Sequence, residues 1–146
     1  MRRKYFDNMA TVYVDGSSKG NPGPAGIGYF VLGEDGRMLR RGGEFIGFAT
    51  SRVAEYYALK EGMEQALELG LSSVKFMSDS LMVVNQMRGI FRISNKDVLP
   101  IYYDIRQMMK KFRRVKFMHV SRSKNTAADK EARLAISRHV DEKMLK

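Results

Sequence analysis

Residues 10–48 read ATVYVDGSSKGNPGPAGIGYFVLGEDGRMLRRGGEFIGF. Within them, ATVYVD (10–15) is β-branched and aromatic and runs into Gly16, the pattern of a buried strand. Residues 16–26 are dense in Gly and Pro and read as a turn. GIGYFVLG (26–33) reads as a second strand, and EDGR (34–37) is a hairpin signal. MLRRGGEFIGF (38–48) reads as a third strand, with a bulge expected at Gly42 and Gly43. Three strands joined by short turns make an antiparallel meander.

Beyond the meander the hydrophobic period changes. Val53, Ala54, Tyr57, Ala58, Ala66, Leu67 and Leu69 fall at helical spacing, and Gly70 ends the run as a C′ glycine would. VKFMS (74–78) reads as a fourth strand. SDSLMVVNQM then reads as a short helix capped by Ser78 or Asp79 and stopped at Gly89. Asp97 is placed to cap a helix over 98–112, with Pro100 in its first turn. VKFMHV (115–120) reads as a fifth strand, and Asn125 or Thr126 can cap a last helix to about Arg138. Strands four and five arrive through helical crossovers, which make parallel pairs. The expected fold is therefore α/β: a five-stranded mixed sheet, three strands antiparallel and two parallel, flanked by helices. Residues 10–138 read as one domain, with a basic tail over 1–9 and a second tail over 139–146.

Composition narrows the function. The 146 residues are 44% apolar and 29% charged, enough to bury one core. Cysteine is absent, which excludes a disulfide scaffold, a thiolate zinc site and a cysteine nucleophile, and suits a reducing compartment. No apolar stretch spans a bilayer, and the opening MRRKYFDNM lacks the apolar core of a secretion signal. We expect a cytoplasmic protein without a membrane partner. The formal net charge of +10 favours a polyanionic partner.

Against that positive background, certain acids stand out. Glu61, Glu64 and Glu68 recur as a solvated helix face does. Glu55, Asp79 and Asp129 fall near predicted helix starts, where the helix dipole alone explains an acid. Asp15 has no such explanation: it closes an apolar strand, where a lone charge is costly. In mixed sheets of this kind, strand ends and helix starts converge at one edge. Four carboxylates meeting there repel one another unless cations sit between them. Hard divalent ions such as Mg²⁺ suit oxygen donors and phosphate substrates.

Four blocks carry a family resemblance. They are Asp15-Gly16-Ser17 with Asn21-Pro22-Gly23; Thr50, Ala54-Glu55-Tyr56 and Ala58-Leu59; Ser78-Asp79-Ser80; and Asn125 with Ala128-Asp129. In these, in this order, the chain resembles the ribonuclease HI family over about residues 10–138. The resemblance implies a ribonuclease H-like catalytic domain that cleaves the RNA strand of RNA–DNA hybrids, leaving 5′-phosphate and 3′-hydroxyl ends. It implies Asp15, Glu55, Asp79 and Asp129 as catalytic residues and ligands of two Mg²⁺ ions, with Mn²⁺ as a substitute. Asp15 is expected to bridge both ions, Glu55 and Asp79 to complete one site, and Asp129 the other.

The resemblance also assigns substrate contacts to Gly16, Ser17, Asn21, Thr50, Ser51, Arg52, Ser80 and Arg122. Asn21 matches an asparagine on the RNA backbone, Thr50 a threonine on a DNA phosphate, and Ser80 a residue near the substrate backbone. Ser51 and Arg52 depart from the pattern, which has asparagines there. The departure favours an added phosphate contact and some activity on double-stranded RNA. Arg88-Gly89-Ile90-Phe91-Arg92 stands where other members insert a basic handle, so the chain is similar to the handle-less group. Lys110, Lys111, Arg113 and Arg114 are candidates for nonspecific affinity. Arg122, rather than the strand residue His119, is the candidate for assisting product release. The expected protein is a monomer. The alternatives are a nuclease of the same fold acting on double-stranded RNA or DNA junctions, and a non-catalytic nucleic-acid-binding module.

Overall fold

The computed structural model describes residues 8–144. The elements run β1 (Ala10–Ser18), β2 (Gly23–Leu32), β3 (Met38–Ala49), α1 (Ser51–Glu68), β4 (Ser73–Ser78), α2 (Leu81–Met87), α3 (Leu99–Met109), β5 (Arg114–His119) and α4 (Thr126–Met144). They form a five-stranded sheet in the order β3-β2-β1-β4-β5. β1–β2 and β2–β3 are antiparallel, and β1–β4 and β4–β5 are parallel. This is the mixed sheet expected from the order of periods.

Several local expectations change. The stretch 16–26 is not one turn: β1 continues to Ser18, β2 begins at Gly23, and only the residues between them turn. The bulges are not at Gly42 and Gly43. Ala25 pairs with Gly47 and Gly26 with Phe45, leaving Ile46 as the extra residue, and a second shift leaves Leu39 unpaired. α2 is capped by Ser80, whose Oγ accepts from Val83 N at 3.3 Å, not by Ser78 or Asp79. α3 starts without a side-chain cap, because the Asp97 amide is held by Asn95 Oδ1 at 2.9 Å and Val98 takes the capping position. The helix expected to end near Arg138 continues to Met144, and His139 stacks on Phe45 with ring centroids 3.7 Å apart. Met9, assigned to the tail, is buried at 3% exposure; residues 1–7 of that tail lie outside the described residues.

Gly16, expected in a turn, Gly28, expected in a strand, and Gly43, expected in a bulge, all serve close approach. A Cβ on Gly16 would stand 2.2 Å from the Ala54 carbonyl carbon, so α1 crosses the end of β1 directly. On the other face, Cβ atoms on Gly28 and Gly43 would stand 2.0 and 2.5 Å from the carbonyl oxygens of Ala128 and Glu131. α4 meets this floor with Ala128, Ala132 and Ala135, all buried. Small residues on both partners bring the helix backbones down onto the sheet, and this fixes where Glu55 and Asp129 emerge. The main apolar core, built on Val12, Val14, Ile27, Tyr56, Leu59, Met63 and Phe76, lies under α1.

Candidate active site

The carboxyl end of β1 carries Asp15, paired with Gly28 of β2. Asp79 follows directly on β4, which lies parallel to β1, so both acids leave the sheet at the same edge. α1 begins at Ser51, two residues earlier than its apolar period indicates, so Glu55 lies in the second turn and not in the first. Asp129 does lie in the first turn of α4. The four acids line one cleft of about 370 Å³ together with Gly16, Ser17, Ser51, Arg122 and Arg133. Asp15, Glu55, Asp79 and Asp129 are thus brought together from four separate segments.

Burial and crowding are visible in the protonation of Asp15 and Glu55. Burial pushes the Asp15 carboxyl up to about 8, helped by the Asp79 charge, a hydrogen bond with Asp129 and the Glu55 charge. Burial also raises Glu55, opposed mainly by the Arg52 guanidinium. A cluster that favours a proton on its central member near neutral pH equally favours a cation. The donors are all carboxylate oxygens, with no His or Cys on the cleft wall, which fits Mg²⁺ or Mn²⁺. Two of the acids are tied to arginines. Arg52 Nη1 lies 2.9 Å from Glu55 Oε1, and Arg133 Nη2 lies 2.9 Å from Asp129 Oδ2. In this arrangement no three acidic, His or Cys side chains among the described residues gather as a ready-made metal cage.

The predicted substrate residues divide into groups. Gly16, Ser17, Ser51 and Arg122 line the cleft. Arg122 sits in a 3-10 turn (Arg122–Lys124) and helps hold Glu55 ionised. His119 is exposed at the end of β5 and is not on the cleft wall. Thr50 caps α1, its Oγ1 accepting from Val53 N at 3.3 Å. Asn21 Oδ1 accepts from Ser51 N at 3.0 Å, which ties the β1–β2 turn to the start of α1. Ser80 Oγ accepts from Arg52 Nη1 at 2.8 Å as well as from Val83 N. Arg52, expected to meet phosphate, turns inward to Glu55 and Ser80.

Sequence reasoning missed two residues. Asn125 precedes α4, where it reads as a cap, yet its amide turns inward: Nδ2 donates to Val14 O at 2.9 Å and to Asp79 Oδ2 at 3.5 Å. Its Oδ1 is buried with no hydrogen-bond partner among the described residues. Asn125 therefore ties the start of α4 to β1 and steadies Asp79. Arg133 carried one signal, its spacing of four from Asp129, which places both on one helix face.

Comparison with known proteins agrees with this fold. A family model described as Reverse transcriptase-like matches residues 13–135. The ribonuclease HI of Halobacterium salinarum is 35% identical over 124 residues, covering 85% of this chain and 62% of its own length. The crystal structure of RNase H1 from that archaeon superposes with a TM-score of 0.87, at 33% identity, covering 89% of this chain and 98% of the other. LC11-RNase H1, solved in complex with an RNA/DNA hybrid, gives a TM-score of 0.85 at 31% identity, covering 90% and 99%. The bifunctional protein Rv2228c of Mycobacterium tuberculosis is 38% identical over 122 residues, 83% of this chain; the chain spans 34% of that relative's length. The chain belongs to the reverse transcriptase-like family, and its relatives there include ribonuclease HI.

Proposed function

We propose that the protein is a ribonuclease H: a metal-dependent endonuclease that hydrolyses the RNA strand of RNA–DNA hybrids and leaves 5′-phosphate and 3′-hydroxyl ends. The observation that carries this reading is the meeting of Asp15, Glu55, Asp79 and Asp129 in one cleft of a chain with net charge +10. The ribonuclease HI relative at 35% identity and the hybrid-bound neighbour support the substrate.

Asp15, Glu55, Asp79 and Asp129 would hold two Mg²⁺ ions, with Mn²⁺ as a substitute. When bound, such ions activate a water and neutralise charge at the scissile phosphate and the departing 3′ oxygen. The chain's own groups do the rest. Asp15 sits centrally, within reach of the other three acids. Asn125 holds Asp79 against β1, fixing one acid relative to another. Arg122, on the cleft wall, offers guanidinium donors to a phosphate. Ser51 offers a hydroxyl on the same wall to a sugar 2′-hydroxyl. Ser51 and Arg52, replacing amides, also favour a minor activity on double-stranded RNA. Among the described residues no helix is long and apolar enough to cross a membrane. We take the protein to act in the cytoplasm, as a monomer, with residues 10–138 as its catalytic domain.

The test is a comparison of initial rates on RNA–DNA hybrid, double-stranded RNA and double-stranded DNA, with Mg²⁺ and with EDTA. Hybrid should be cut fastest and only with metal. Absence of metal-dependent hybrid cleavage, or a preference for double-stranded DNA, would refute the reading.

A further inference from the structure

Arg52 uses a single nitrogen, Nη1, to bridge two elements: Glu55 Oε1 at 2.9 Å within α1, and Ser80 Oγ at 2.8 Å at the cap of α2. This is more than a solvated surface pair. The Arg52 and Glu55 side chains are 35% and 20% exposed, and Ser80 is buried at 9%. Ser80 is itself fixed, because the same Oγ accepts from Val83 N. The same guanidinium nitrogen is thus anchored on a fixed hydroxyl and rests on a carboxylate of the acidic cluster. A divalent ion needs that carboxylate, and a guanidinium in contact with the same oxygen both occupies it and repels the ion.

Building on the metal-dependent reading above, we infer that Arg52 is a resident counter-cation for Glu55, which a divalent ion must displace before Glu55 joins the metal-binding set. The role is one of positioning: Arg52 sets which cation Glu55 serves. A partly exposed ion pair is weak, so the competition tunes metal affinity without blocking it. Once displaced, the guanidinium is a free planar fork beside the cleft, suited to a phosphate of the polyanionic substrate. Metal and nucleic acid then assist one another. A phosphate that takes Arg52 releases Glu55 to the metal, and by reciprocity a metal on Glu55 makes Arg52 available to phosphate. An asparagine at this position, as in the resembling family, supplies no such link.

The test is calorimetric titration of Mg²⁺ into the nucleic-acid-free protein. Arg52→Asn and Arg52→Gln remove the charge, the second keeping most of the stem. Both should bind Mg²⁺ about two- to fivefold more tightly than the parent protein, the range that loss of a partly exposed ion pair allows. In a Glu55→Gln background the same substitutions should change the affinity less than twofold, since the competition is for Glu55. Unchanged or weaker Mg²⁺ binding in both variants overturns the inference. So does an equal gain in the Glu55→Gln background, which would reflect net charge alone. Hybrid cleavage is measured on the same samples. If cleavage is absent while the Mg²⁺ affinities shift as stated, the functional reading falls and the Arg52–Glu55 competition stands.

Discussion

Replacing Asp15 by Asn should make the metal-free protein more stable. Asp15 has a carboxyl raised from 3.8 to about 8 in the folded chain, while the unfolded chain keeps the ordinary value. Between those limits the folded state binds more protons than the unfolded state, so stability falls as pH rises through that window and levels off above it. At pH 7 the window has been crossed for about three units, worth about 4 kcal/mol at about 1.4 kcal/mol per unit. The cleft opens to solvent, and screening reduces this to about 1–3 kcal/mol. Asparagine keeps the shape and needs no proton to fold, so it should recover that amount. For a domain of this size the melting temperature should rise by roughly 3–10 °C. The assay is thermal unfolding of both proteins in EDTA at pH 5, 7 and 8.5. The gap should be small at pH 5, larger at pH 7 and flat beyond pH 8. Millimolar Mg²⁺ should close it by stabilising the wild type more. A variant less stable than wild type in EDTA at pH 7, or a gap equal at pH 5 and pH 7, would refute the idea that Asp15 is buried at a cost among the other acids.

Asp79→Asn should leave the melting temperature within a few degrees of wild type and lower hybrid cleavage by several powers of ten, about 1.4 kcal/mol each, read as single-turnover rates. Gly28→Ala places a methyl against the Ala128 carbonyl, where a Cβ has only 2.0 Å. It should cost about 1–3 kcal/mol or more in denaturant unfolding, and it should weaken Mg²⁺ binding by displacing Asp129. Burial and hydrogen bonds with Glu44 and Glu64 push the Glu61 carboxyl up to about 8. Stability should therefore fall between about pH 4.5 and 8 from this cluster too, and Glu61→Gln should flatten that slope in pH-dependent melts. Arg52→Asn should raise the ratio of hybrid to double-stranded RNA cleavage and reduce the salt slope of hybrid binding by about one phosphate contact; ratios unchanged at two salt concentrations would count against a phosphate role.

The legible part of the fold rests on period. Alternation in β1, with Ala10, Val12 and Val14 buried, and helical spacing in α1 are written in the residue types themselves, and strand order follows from the crossovers. The acids were legible because Asp15 contradicts its strand. Glycines were harder: Gly16 reads as the start of a turn and Gly28 as an ordinary strand position, and only the packed helices reveal what their missing Cβ atoms admit. Side-chain direction was least accessible. Arg52 has enough reach for a phosphate outside or a carboxylate inside, and the fixed hydroxyl of Ser80 decides between them. Asn125 reads as a cap because nothing local shows that the Val14 carbonyl lies opposite.

That last contact joins residues 111 positions apart. It brings a consequence for the growing chain. The sheet is complete once β5 has emerged from the ribosome, but Asn125 and Asp129 arrive only with α4. Until then the edge presents Asp15, Glu55 and Asp79 without their fourth member, and Asp79 lacks its amide support. A chain that has folded only as far as β5 thus holds three of the four acids, and the cleft takes its full shape when α4 docks on the sheet.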